Sequence, residues 1–136
     1  MKLATLSLIG ALTVLLATIP LLAHHSFAAT YNEDAPPVEI KGTMKSFKIQ
    51  NPHSYVQVED EKLKDKDGNP VRWVVEWGAA AQLTTQNVTP TTLKAGDKVV
   101  ITGTPGRNPE DFRLLMKTIT RPSDGWKWPV GNQTFR

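Results

Sequence analysis

The sequence predicts an all-β fold, a small five-stranded barrel with one short helix between the third and fourth strands. Three observations predict it. Three segments alternate apolar and polar residues at the period of a half-buried strand, and two later ones, KVVITG and FRLLMKTIT, also read as strands. The first of them is long, with a central glycine and a change of phase. The single stretch with helical character, AAAQLTTQ at 79–86, falls after the third.

In VEIKGTMKSFKI, Val38, Ile40 and Met44 share one parity, while Phe47 and Ile49 take the other. Gly42 lies between them, so this strand should bend or bulge. SYVQVED alternates around Val56 and Val58, and EKLKDKDGNP is a charged turn marked by Asp67-Gly68, a hairpin signal. VRWVVEWG puts Val71, Trp73, Val75 and Trp77 on one face. After the helix and a Thr- and Pro-containing loop, Ala95-Gly96-Asp97 turns into KVVITG, and FRLLMKTIT is the last strand. The chain order is that of an OB-fold-like barrel, whose closure removes exposed strand edges. A small sandwich is the alternative. The reading divides the chain into a signal peptide (1–23), an extended N-terminal arm (24–37), the barrel (38–121) and an irregular Trp-containing tail (122–136).

Residues 2–23 carry one Lys and then an uncharged apolar run, broken by Pro20 ahead of Ala23. That is the shape of a secretory signal peptide, and it predicts a periplasmic or secreted protein with no stable membrane anchor after cleavage. Cleavage after Ala23 leaves His24 as the new N-terminus; cleavage after Ala28 would discard two histidines. The full chain of 136 residues has 16 basic and 13 acidic side chains. Losing Lys2 with the signal leaves 15 and 13, a net charge of +2. The basic residues are scattered among acids, with no basic block, so nucleic acid is not an expected partner. There is no cysteine, so the core and not disulfides must hold the fold.

The chain has three histidines. His24 and His25 stand at the expected mature N-terminus, and His53 lies in the string NPHSY. A free α-amine beside the His24 imidazole can chelate one metal ion, and its proton is displaced at modest cost near neutrality. Neutral nitrogen ligands suit Cu(II) best among the common divalent ions. His53, placed after Asn51-Pro52, could complete a histidine-brace site. The plain alternative is a solvated terminus with a structural His53.

Other signals are weaker. Asp65, Asp67, Asn69 and Glu76 match positions 1, 3, 5 and 12 of a calcium loop, but Pro70 occupies the position that needs Gly. Glu76 instead stands as a carboxylate among Trp73, Val74, Val75 and Trp77. It could accept an imidazole N–H behind a metal-binding histidine, with Arg72 as its same-face neighbour and ready partner. Tyr55, Trp77, Trp126 and Trp128 could form a ligand surface for sugar rings. No cysteine and no G-x-S-x-G elbow are present, which argues against a hydrolase.

With HHSF at 24–27 and NPH at 51–53, the chain resembles an uncharacterised exported bacterial family catalogued as domain of unknown function 6152. The resemblance extends to Tyr31, Gly42, Trp73, Glu76 and a Leu-Lys-x-Gly-Asp turn at 93–97. It is weaker between Ala79 and Thr92 and absent from the tail. The family implies no activity, but all three histidines fall in its hallmark strings. The expected function is therefore non-catalytic binding of a metal ion, copper first, through His24, His25 and His53, with another periplasmic protein as a further partner. The alternatives are a carbohydrate or envelope-component binding barrel with structural histidines, and a small histidine-brace copper oxidase.

Overall fold

A computed structural model describes residues 27–130. The chain divides into two units, Met1–Thr30 and Tyr31–Arg136. The segment read as a signal peptide, with His24 and His25, lies outside the described residues. Within the first unit, residues 27–30 are helical, where the sequence predicts an extended arm. Ala28 and Ala29 supply the helix preference there, which the polar and Pro-rich surroundings mask in a pattern reading. Among the described residues no helix is long and apolar enough to cross a membrane.

The second unit is the barrel. Its strands are β1 (Val38–Lys48), β2 (Ser54–Lys64), β3 (Pro70–Trp77), β4 (Lys98–Pro105), β5 (Arg113–Arg121) and β6 (Trp126–Trp128), with α1 (Ala80–Thr85) between β3 and β4. The sheet order is β3-β2-β1-β4-β5-β6, and a parallel pairing of β3 with β5 closes the first five strands into a barrel. The closing register is Val74↔Arg113, Val75↔Leu114 and Glu76↔Leu115.

β1 serves both halves of the barrel. Its first part pairs with β4 and its second with β2, and Gly42 is opposite Val99 on one side and Asp60 on the other. A Cβ at Gly42 would overlap the Glu59 carbonyl oxygen and come within 2.5 Å of Val58 Cγ1, so only glycine allows this crossing. The phase change read from the sequence is a bulge between Met44 and Ser46. The Asp67-Gly68 turn is present, with Gly68 at φ +83° and the Asp65 carboxylate accepting from the Asp67 and Asn69 amides.

Val56, Val58, Val75, Ile101, Leu114 and Ile119 fill the interior and are fully buried. α1 is short, and Leu83 is its one buried residue. Packed with Val88 and Leu93, it belongs to the same core.

The tail differs from the irregular segment that the sequence predicts. Residues 126–128 form β6 on β5, with Ile119↔Trp128 and Arg121↔Trp126 in register. The reason is an open edge. β3 covers only Arg113–Leu115 of β5, so the later residues of β5 keep free backbone groups that β6 satisfies. Gly125 at φ +72° makes the turn, and Asp124 accepts from the Trp126 amide and the Arg121 guanidinium.

Candidate functional site

His53 directly precedes β2, in a connection pinned at several points. Ser54 Oγ exchanges hydrogen bonds with the Gln50 backbone, and the Ser54 amide donates to the Gly78 carbonyl at 3.1 Å. The Ala80 amide at the start of α1 donates to both the Gln50 carbonyl and the Asn51 side chain. The strand order then places His53 beside β3, because Ser54 is opposite Trp77 and Tyr55 is opposite Glu76.

Along β3, alternation sends Val75 and Trp77 into the barrel and Glu76 to the outer face. Glu76 is nevertheless only 8% exposed. A buried carboxylate needs partners, and here it has two neighbours at hydrogen-bond distance and a guanidinium nearby. His53 Nδ1 lies 2.7 Å from Glu76 Oε1. The Tyr31 hydroxyl donates to Glu76 Oε2 at 2.6 Å. An Arg113 terminal nitrogen lies 4.0 Å from the same oxygen. Arg113 reaches this place through barrel closure, since it is opposite Val74, two residues from Glu76 on the outer face. Its Nε is buried and makes no hydrogen bond among the described residues.

Tyr31 is held from its backbone as well. It bridges Gly106, and the Asn32 amide donates to the Pro105 carbonyl at 2.9 Å. Its phenol is 1% exposed. Burial, then the hydrogen bond to Glu76, push its pKa well above the ordinary tyrosine value. The hydroxyl therefore stays protonated and remains a donor throughout the physiological range. Because an ionised carboxylate only accepts, the geometry favours the tautomer of a neutral His53 with its proton on Nδ1 and its lone pair on Nε2.

Two sequence-level expectations are corrected here. Arg72 is not the partner of Glu76. It bonds Glu59 at 2.9 Å, its direct cross-strand neighbour. Four residues along a strand span about 13 Å, so the opposite strand offers the nearer carboxylate. The second correction concerns the aromatic surface. Trp77 and Trp128 are 2% and 6% exposed and pack edge to face at 4.9 Å inside the core. Trp128 Nε1 donates to Gln86 Oε1 at 2.6 Å. Trp126 lies under the Arg121 guanidinium at 5.6 Å, and Tyr55 is half-buried opposite Glu76. Tryptophan's large apolar area drives it inward, so these four residues do not share an open face.

Among the described residues no three metal-ligating side chains gather, and His53 is the one histidine described. Of the residues in the site, Tyr31 was visible in the sequence only as an aromatic in a familiar string. Arg113 carried no signal, because parallel pairing between β3 and β5 leaves no local pattern.

No curated protein matches the chain. Among solved structures, it is similar to the crystal structure of the mitochondrial single-stranded DNA-binding protein Rim1 from S. cerevisiae. That similarity has 15% identity and a TM-score of 0.45, and covers 62% of this chain and 91% of that one. Residues 12–114, a span that holds all three histidines with Tyr31, Glu76 and Arg113, match a family described only as one of unknown function. The chain belongs to that family, DUF6152.

Proposed function

We propose that this protein is exported and binds a metal ion, Cu(II) first, through His53 together with His24 and His25 at a mature N-terminus, without turnover. The observation that carries the reading is the 2.7 Å contact between His53 Nδ1 and a buried Glu76 carboxylate. Metal-ligating histidines commonly donate their second nitrogen to a carboxylate, which fixes the tautomer and raises the basicity of the ligand nitrogen. His53 and Glu76 are too few to hold an ion, so the reading requires the N-terminal pair. The covalent chain favours this. Five residues lie between His25 and Tyr31, so the chain limits their separation to about 20 Å and makes binding by the N-terminal pair intramolecular. Imidazole and amine ligands favour copper over zinc.

The test is the intact mass of the chain expressed with its own signal and purified from the periplasm, before and after one equivalent of Cu(II). The reading expects a chain beginning at His24 that gains one copper and loses that gain in His53→Ala. A chain beginning at Ala29, or uptake that ignores the loss of His53, would end it.

A further inference from the structure

We infer that Tyr31 is a positioning residue for His53: by holding Glu76 it fixes the proton on His53 Nδ1, and it joins the seating of segment 31–35 to the state of the imidazole. The inference stands on the geometry of the barrel unit; only its use in metal binding rests on the reading above.

Glu76 has two oxygens with different tasks. Oε2 accepts from the Tyr31 hydroxyl at 2.6 Å and faces Arg113 at 4.0 Å, while Oε1 faces His53 at 2.7 Å. A glutamate side chain can rotate about its last bond through a broad range. The Tyr31 hydrogen bond, with the Arg113 cation nearby, takes up that freedom and leaves Oε1 aimed at the imidazole. Tyr31 and Arg113 are themselves fastened together. The Gly106 amide donates to the Arg113 carbonyl at 2.9 Å, and Tyr31 bridges Gly106. Tyr31, Gly106, Arg113 and Glu76 thus form a closed circuit of contacts spanning β3, β5 and the segment before β1.

A structural plug would need no hydroxyl at this position. Phenylalanine would fill the same volume, and a buried O–H is costly unless it is bonded. The hydroxyl is instead spent on the carboxylate that faces the only histidine among the described residues. Seating of Tyr31 therefore favours the Nδ1–H form of His53. By linkage, anything that binds the Nδ1–H form through Nε2 favours seating of Tyr31 to the same degree.

The test is a nitrogen-15 NMR measurement of histidine tautomers on the metal-free full chain, at mildly alkaline pH where a free imidazole is neutral. A His53→Gln sample assigns the His53 signals. Wild type should show His53 as the Nδ1–H form. Tyr31→Phe should move the tautomer ratio about tenfold toward Nε2–H, the equivalent of one charge-assisted hydrogen bond at the low end of its range. It should also speed amide exchange at Asn32, whose N–H donates to Pro105. An Nε2–H tautomer in wild type overturns the inference without any variant. So does a folded Tyr31→Phe protein with an unchanged ratio. If copper fails to bind while the tautomer responds to Tyr31→Phe, the metal reading falls and this inference stands.

Discussion

Replacing Glu76 with Ala should destabilise the barrel by about 2–3 kcal/mol, a value that follows from how its partners are buried. The Tyr31 hydroxyl is in a side chain 1% exposed, so water cannot replace its lost acceptor. A hydrogen bond to a charged group contributes about 1.5–3 kcal/mol, and most of that should be lost. The His53 side chain is 27% exposed and can partly rehydrate, adding about 0.5–1 kcal/mol at most. Relief of the desolvated carboxylate offsets part of the loss, which keeps the total below the 3–5 kcal/mol of a fully buried pair broken on one side. For a unit of this size the fall in Tm should be about 10–20 °C. Glu76→Gln retains an acceptor and should cost less. Urea unfolding followed by tryptophan fluorescence reads the change directly, since Trp77 and Trp128 leave the core on unfolding. An Ala variant within about 0.5 kcal/mol of wild type, the scale of ordinary surface substitutions, would refute the buried Tyr31–Glu76–His53 arrangement.

The same hydroxyl makes the fold alkali-sensitive. The Tyr31 pKa is raised in the folded state, so its contribution is complete below the unfolded value near 10 and is lost as pH rises from there toward the folded one. Stability should fall by about 1.4 kcal/mol per pH unit in that window, and an unchanged slope in Tyr31→Phe would contradict this origin. Trp128→Ala removes the edge-to-face partner of Trp77 and the donor to Gln86. It should cost about 3–5 kcal/mol in chemical denaturation, far more than expected for a loose tail. Gly42→Ala forces a methyl group against the β2 backbone and should cost about 3 kcal/mol or more. Gly68→Ala meets no atom within 4 Å and pays only for its positive φ, about 1–2 kcal/mol, so a thermal melt should rank the two clearly.

Local pattern determined much of this protein. Alternation in VEIKGTMKSFKI, SYVQVED and VRWVVEWG reports which side chains face the core, because a strand turns each successive residue to the opposite face. Gly42 and the phase slip announced the crossing and the bulge in β1, and Asp67-Gly68 announced its turn. The site residues His53 and Glu76 were visible as chemistry, an imidazole after a proline and a carboxylate among apolar neighbours. Their meeting was not visible. It depends on β2 pairing with β3 in one register, on a parallel closure that delivers Arg113, and on Tyr31 being placed by Gly106, seventy-five positions further along the chain. The aromatic tail also needed the tertiary structure: Gly125 and Asp124 make its turn, but an unpaired stretch of β5 is what makes Trp126–Trp128 a strand. Sequence period records a residue's own orientation. Which two outer-face residues become neighbours, and whether an outward carboxylate is buried, is set by strand register and closure over long chain separations, where no local signal is left to read.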